Sequence, residues 1–403
     1  MTETVKGFKD FTGEEAQKRA DVRRIIEGAF ERYGFEPAET PIIEYENFVK
    51  GENKQDEAVS DIFRLQDKGK RNLALRYEFT FQLKRLMQNK KLPYRRYQIG
   101  PVFRDEPVSS NRLRQFVQCD VDVVGSTIKE EAEILSLSNE ILNKLGIKPV
   151  ILINNRKILE AVAKDIIGIE EKRIKKAITI LDKLDKKSRK DVREEFEKEF
   201  SGFGGNITLL INTLMSDFKQ LKEYYKGIVC TNRKQKYEDT LFYKGEKELE
   251  DLQDYCNLYS INIEILPSLA RGLSYYNGNV FEIKTKGIKE TIIAGGSYKF
   301  NNVQCTGVAF GLDRIALLSK INNKSEKYLV VSLDQNKKAI ELSKKLRSKN
   351  KITSIYYGKP SKALDYANSY KIDKVIFIGK EEVKKRKYKI KDMKSGKERF
   401  EKF

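Results

Sequence analysis

The sequence predicts a protein of mixed strands and helices in three textures. A strand-rich block is interrupted by a charged helical module and is followed by a small α/β domain with a largely parallel sheet. Three observations carry this reading. The stretch "PVFRDEPVSSNRLRQFVQCDVDVVG" (residues 101–125) has the form of two strands joined by a basic loop, because Val117, Cys119, Val121 and Val123 alternate with Phe116, Gln118, Asp120 and Asp122. Residues 154–234 change to charged helical sequence, such as "EEKRIKKAITILDKLDKKSRKDVREEFEKEF", without turn-rich strands. Near the end, the apolar runs "YLVVSL", "ITSIYYG" and "KVIFIG" are separated by the helical segments "AIELSKKLRSK" and "ALDYANSY".

Along the chain, residues 14–33 set Val22, Ile25, Ile26 and Phe30 at helical spacing, and Gly34 ends that helix. "FEPAETPIIEY" follows as an extended, proline-punctuated segment. A second helix is predicted from Thr80 to about Lys90, with Thr80 as its cap. The strand pair then runs to Gly125. After the helical module, strand texture returns at "INIEILPSLARGLSYYNGNVFEIKT" and "KETIIAGGSYKF", and "TGVAFGLDRIALLSKI" is a strand running into a helix. "KINNKSEK" (320–327) is a polar linker. The expected divisions are residues 1–153 and 235–320 for the strand-rich block, 154–234 for the insertion and 327–403 for the last domain.

A chain of 403 residues accommodates two or three domains with at least one large core. Its net charge of +20 favours a polyanionic partner, and the charge is concentrated: residues 324–403 carry 24 Lys plus Arg against 10 Asp plus Glu, a net +14. A merely soluble surface would not need such concentration. Cys119, Cys230, Cys256 and Cys305 form no CxxC pair, which disfavours a zinc site or a disulfide framework and fits a reducing cytosol. The N-terminal "MTETVKGFKDF" lacks an apolar core of signal-peptide length, and no window approaches the roughly 20 apolar residues of a membrane span, so a cytoplasmic protein without a membrane partner is expected. Histidine is absent. Any mechanism that needs an imidazole base, a Ser-His or Cys-His pair, or a His-ligated metal is thereby excluded, and the chemistry falls to carboxylates, arginines, lysines, tyrosines or the substrate itself.

Arg104 in "PVFRDE", Arg271 in "SLARGLSYYNG" and Arg314 in "FGLDRIALL" each stand where a strand meets a loop or helix. A guanidinium is permanently charged and forks onto phosphate or carboxylate, so three of them converging would bind a triphosphate beside a carboxylate. Glu78, Gln118, Asp122, Tyr275 and Tyr276 complete the candidate constellation.

"KGFKDF" (6–11), "TPIIE" (40–44), "LRYEFT" (75–80), "QIGPVFRDE … RLRQFVQCDVDVVG" (98–125), "LARGLSYYNGNVFE" (269–282) and "GVAFGLDRI" (307–315) resemble, in order and over essentially the whole chain, the motifs of histidyl-tRNA synthetases. The RGLxYY segment is particular to that family and its paralogues, whereas the arginine-bearing strand pair is shared by class II synthetases in general. The resemblance implies an α+β catalytic domain with an antiparallel sheet flanked by helices, a helical insertion and a C-terminal α/β anticodon-binding domain. It implies ATP and Mg²⁺, histidine and tRNA(His) as partners, and a homodimer formed through "FEPAETPIIEY" with its interior Pro41.

For the residues, it implies that Phe116, Gln118, Asp120 and Asp122 floor an amino-acid pocket. Gln118 and Glu78, beside Phe79 and Thr80, would take the α-ammonium. Asp122 and Tyr276 would take the ring N–H groups, with Tyr275 and Tyr298 in support. Arg104 would hold the α-phosphate, and Arg271 would bridge it to the substrate carboxylate. Arg314 would stack on adenine or reach the γ-phosphate, while Arg112 and Glu106 close over the nucleotide. Two departures stand out: Ser274 replaces an acidic residue, and "GGSYK" (295–299) replaces GGRYD, losing an arginine and an aspartate. Two other readings of the same motifs are a catalytically silent paralogue resembling the regulatory subunit of ATP phosphoribosyltransferase, and an RNA-binding or sensor module that keeps the shape without the chemistry.

Overall fold

The computed structural model describes residues 2–51, 57–109, 112–185, 187–200, 204–232, 235–270, 275–288, 290–321 and 326–402. Two compact units divide it, Met1–Ile321 and Asn322–Phe403.

The first unit opens with helix α1 (Gly13–Arg32), which buries Val22, Ile26 and Phe30 and stops where Gly34 takes φ +75°. Short strands β1 (Glu36–Pro37), β2 (Ile43–Tyr45), β3 (Arg64–Gln66) and β4 (Asn72–Leu75) lead to helix α2 (Thr80–Leu86). The expected cap at Thr80 does not form: Phe79 is already in the αR region, so Thr80 is the first helical residue, and no side chain caps the end. That helix also stops before Lys90. Then come the long strands β5 (Tyr94–Phe103) and β6 (Gln115–Val124), helix α3 (Ile128–Lys144) and β7 (Pro149–Asn155). Helix α3 starts on a capping box, in which Thr127 Oγ1 accepts from Lys129 N and Glu130 accepts from Thr127 N.

Among the described residues, Arg156–Asn232 is helices and their connections with no strand, and its apolar faces join one continuous core with α1, α3 and the sheet. Strand β7 runs to Asn155, two residues into the segment expected to be helical. The reason is a polar clamp: Asn154 Nδ2 donates to the carbonyls of Pro267 and Leu269, each at 2.9 Å, and Asn155 Nδ2 donates to Asn279 Oδ1 at 2.7 Å. Helix α4 (Leu241–Leu258), β8 (Glu264–Ile265), β9 (Tyr276–Thr285), β10 (Ile293–Phe300), β11 (Val303–Gly311) and helix α5 (Leu312–Leu318) complete the unit.

Eight strands form one sheet in the order β1-β5-β6-β11-β10-β9-β7-β8. Its six central strands pair antiparallel, as the resemblance implies, while the two-residue strands at the ends, β1 on β5 and β8 on β7, pair parallel. The β10–β11 hairpin turns through Asn301 and Asn302, at φ +46° and +63°, the two left-handed positions that a type I′ turn requires. Strands β2, β4 and β3 form a separate small sheet.

In the second unit, β12 (Lys327–Ser332) pairs parallel with β13 (Ile352–Tyr357) and β14 (Lys374–Ile378), and β15 (Lys387–Asp392) and β16 (Glu398–Lys402) add an antiparallel edge. Helices Asn336–Ser348 and Pro360–Ser369 cover opposite faces. Val330 packs with Ala339 and Leu342, and its neighbours Leu329 and Val331 pack with Ala363 and Ala367. This explains the unbroken apolar run of β12, since a strand covered on both faces needs no alternation. No helix among the described residues is long and apolar enough to cross a membrane.

Candidate active site

Strand β6 presents Gln118, Asp120 and Asp122 on one face, while Cys119, Val121 and Val123 point into the main core. Neither face meets bulk water: Gln118, Asp120 and Asp122 are all buried. In the β5–β6 register, Arg96 stands opposite Asp122, Gln98 opposite Asp120 and Gly100 opposite Gln118, so the polar face extends across two strands. Two glycines allow its side chains to lie flat. A side chain at Gly307 would collide with Asp122 Oδ1, and one at Gly296 would sit 2.9 Å from the Tyr276 ring.

Around Asp122 the geometry is closed. Arg96, fully buried, forms an ion pair from Nη2 to Asp122 Oδ2 at 2.7 Å and donates to the carbonyl of Phe79 at 3.2 Å. The phenol of Tyr298 donates to Asp122 Oδ1, and burial with the neighbouring Asp122 charge holds that phenol well above its ordinary range. Tyr275 packs edge-on to Tyr298 with ring centroids 5.4 Å apart, lies 4.8 Å from Tyr276, and donates to Glu78 Oε2 at 3.3 Å. Phe79 and Thr80 are buried at the start of α2, next to Glu78. The structure therefore brings Glu78, Phe79, Thr80, Gln118, Asp122, Tyr275, Tyr276 and Tyr298 to one polar floor. Burial drives the carboxyl of Asp120 well above the usual carboxylate range, with the charges of Asp122 and Glu78 adding to this and Arg96 and Arg104 opposing it.

Beyond this floor, at the end of β5, Arg104 Nε donates to the carbonyl of Tyr77 at 3.2 Å and its guanidinium lies over the Phe116 ring at 5.2 Å. Arg314, early in α5, donates to the carbonyl of Thr291 at 2.7 Å. Its pKa is lowered first by burial and then by Arg112 and Arg104, with Glu290 and Glu106 acting against them. Arg112 is paired with Glu106 on the loop between β5 and β6. Arg314 thus feels the charge of two other guanidiniums, Arg112 and Arg104, at the edge of the buried polar floor. That arrangement suits a polyanion. Arg271 and Ser274 lie outside the described residues. The flanking carbonyl of Leu269 is held by Asn154.

Arg96 and Arg76 were not picked out in the sequence. Arg76 donates to the carbonyls of Pro101 (2.9 Å) and Thr40 (2.8 Å), and burial lowers its pKa to about 10. "RRY" at 95–97 looks like ordinary surface basicity. The alternation of β5, with Tyr97 and Ile99 on the core face, was the signal that puts Arg96 and Gln98 on the other one.

An antiparallel sheet flanked by helices, with a polar strand pair among its central strands and a helix following its last strand, is the fold of a class II aminoacyl-tRNA synthetase. The chain matches the family described as Histidyl-tRNA synthetase over residues 7–315 and belongs to that family. It is 35% identical to Histidine--tRNA ligase 1 of Bacillus cereus across 98% of this chain and 94% of that protein. Among solved structures, it is similar to the histidyl-tRNA synthetase of Nostoc sp. PCC 7120, with a TM-score of 0.82, 26% identity and coverage of 100% of this chain and 97% of that one. It shares the fold of an ATP phosphoribosyltransferase regulatory subunit/histidyl-tRNA synthetase from Bacillus halodurans C, with a TM-score of 0.77, 21% identity and coverage of 94% and 98%.

Proposed function

We propose that this chain is a histidine–tRNA ligase, which activates histidine with ATP to histidyl-adenylate and transfers it to the 3′ end of tRNA(His). The observation that carries the reading is the junction of a buried carboxylate–amide–tyrosine floor with Arg314 and the two guanidiniums that act on it, Arg112 and Arg104. Such a site accepts an ammonium and a polar ring on one side and a polyphosphate on the other. Relatives with this activity match 98% of the chain, which favours the enzyme over a silent regulatory paralogue.

In the first step two anions must meet, because the histidine carboxylate attacks the α-phosphorus of ATP. Preorganised cations remove that repulsion. Arg104, held by the Tyr77 carbonyl and the Phe116 ring, is assigned to the α-phosphate. Arg271 is assigned to the bridge between that phosphate and the substrate carboxylate. Arg314 takes the adenine or the γ-phosphate, and the Arg112–Glu106 pair closes over the nucleotide. Glu78 and Gln118 receive the α-ammonium next to Phe79 and Thr80. Asp122 and Tyr276 receive the ring N–H groups, with Tyr275 and Tyr298 fixing their positions. No protein imidazole is required, since the attacking carboxylate is already ionised. Mg²⁺ belongs to the reading as the counter-ion of the ATP phosphates.

The second unit, with most of the chain's net positive charge, is assigned to the anticodon arm of tRNA(His). A homodimer is supported by the exposed apolar Ile42, Ile43 and Tyr45 beside Pro41 (41%, 50% and 58% exposed). Exchange of labelled pyrophosphate into ATP that depends on histidine, followed by charging of tRNA(His), tests the function. Absence of histidine-dependent exchange would overturn it.

A further inference from the structure

Arg96 is the one cation among the described residues of the polar floor with no solvent exposure at all. One of its terminal nitrogens is committed to Asp122 Oδ2 and to the Phe79 carbonyl, whereas Nε and Nη1 have no hydrogen-bond partner among the described residues. On the same two-strand face, Gln98 Oε1, Gln118 Oε1 and Asp120 Oδ1 are buried acceptors without partners. Buried donors and acceptors left open together mark a surface that a polar ligand or its waters complete.

The groups facing Asp122 can be taken element by element. From β5 comes Arg96. From β10 comes the Tyr298 hydroxyl. From β11 comes Cys305, whose thiol is pushed up to about 12 by burial and then by Asp122. On its own strand stands Asp120, whose carboxyl burial holds well above the usual carboxylate range, with Arg96, Glu78 and Arg104 also acting on it. Asp122 is matched by Arg96 at 2.7 Å, and Glu78 is assigned to the substrate's α-ammonium, so a charged ring at Asp122 would have to share a carboxylate that Arg96 already neutralises.

We propose that Arg96 is a specificity-determining positioning residue: its guanidinium, locked on Asp122 Oδ2 and the Phe79 carbonyl, cancels that carboxylate's charge and leaves it a directed hydrogen-bond acceptor, so the pocket takes the histidine ring as neutral imidazole and not as imidazolium. The inference rests on the reading that this floor binds histidine. Without Arg96, Asp122 would be an uncompensated buried carboxylate and would recruit the imidazolium form to neutralise itself.

The test measures the apparent KM for histidine in pyrophosphate exchange at pH 5.5 and 7.5, together with the ring ¹⁵N shifts of labelled histidine bound to the wild-type protein. With a free-ring pKa of about 6.5, selection of the neutral ring makes KM about tenfold higher at pH 5.5 than at pH 7.5. The bound ring should then show one protonated and one bare nitrogen at both pH values. In Arg96→Met the ratio should fall below about twofold or invert. The double variant Arg96→Met/Asp122→Asn, in which neither charge remains, should recover it. An imidazolium signature in the wild-type complex would overturn the proposal even if every variant fails to fold. So would a tenfold ratio that persists in folded Arg96→Met, since a purely structural arginine would change Tm and kcat but not the ratio. Wild-type protein with no histidine-dependent exchange would instead remove the functional reading beneath it.

Discussion

Glu131 offers the sharpest pH-dependent test. It lies on α3 with 3% exposure, and each carboxylate oxygen has a partner: Ser297 Oγ donates to Oε1 at 2.5 Å and Asn279 Nδ2 donates to Oε2 at 2.8 Å. It lines a cavity of about 610 Å³ with Lys129, Lys157, Glu248, Asp251 and Lys299. Burial pushes its pKa from 4.5 up to about 7, the bonds from Ser297 and Asn279 restrain that rise, and the charge of Glu248 adds to it while Lys157 opposes it. Between these two values the folded protein holds a proton that the unfolded chain has released, so stability falls as pH rises. The full difference amounts to about 3 kcal/mol, retained below pH 4.5 and lost as pH passes through 7.

Glu131→Gln keeps both hydrogen bonds, donating to Ser297 and accepting from Asn279, and removes the titration. Wild type and variant should be about equally stable at pH 5, and the variant should be the more stable at pH 8 by about 1–3 kcal/mol. Urea unfolding at pH 5, 6, 7 and 8, followed by tyrosine emission in a chain that has no tryptophan, measures this directly. A difference that stays constant across the series would refute the reasoning.

Three further outcomes are expected. Arg314→Ala should lower kcat/KM for ATP by about 100- to 1,000-fold in pyrophosphate exchange while leaving Tm unchanged or slightly raised, because it relieves repulsion from Arg104 and Arg112; a parallel loss of Tm and activity would count against the assignment. A chain ending at Ile321 should still activate histidine but charge tRNA poorly, and in the full chain replacing the exposed Lys384, Lys385, Arg386 and Lys387 with Ser should flatten the salt dependence of tRNA affinity; equal loss of exchange and charging on truncation would mean that the domain serves folding only. Ile43→Lys should shift the mass in solution from dimer to monomer by analytical ultracentrifugation, and a wild type that is monomeric at micromolar concentration with full charging activity would remove the dimer from the reading.

Much of this was legible in the sequence where side-chain period carries the information. The alternation in β6 gave the floor residues, and the unbroken apolar runs gave the two-sided sheet of the second unit. Legibility ended where meaning depends on what lies across a strand. "KKRKYKIK" reads as a basic run, yet β15 passes through it and buries Tyr388 and Ile390, while Lys389 is paired with Glu398 at 2.8 Å. Glu131 carries no signal of its own in the sequence, because the groups that roof it, Asn279 of β9 and Ser297 of β10, lie far along the chain. Ser297 was visible as a lost arginine, but its role as a donor to Glu131 depends on register. The end strands β1 and β8 are two residues each, too short for any period to declare them.

Arg96 and Glu131 lie on opposite sides of the same sheet, and both show why a binding site is a poor place to optimise stability. Tyr298 and Ser297 are neighbours on β10 that point to opposite faces, Tyr298 to Asp122 and Ser297 to Glu131. Each therefore ties a buried acid to the strand between them. On the pocket side, Arg96 Nε and Nη1, Gln98 Oε1, Gln118 Oε1 and Asp120 Oδ1 lack partners among the described residues, and groups of this kind cost about 1–3 kcal/mol each when left dry. A core of packed leucines would be more stable there and could bind nothing polar. The open groups recover part of that cost only when a ligand with matching donors and acceptors completes them, so they strengthen selection against analogues that cannot: an amino acid with an apolar side chain would still offer its α-ammonium to Gln118 but would bring no ring N–H for the groups around Asp122.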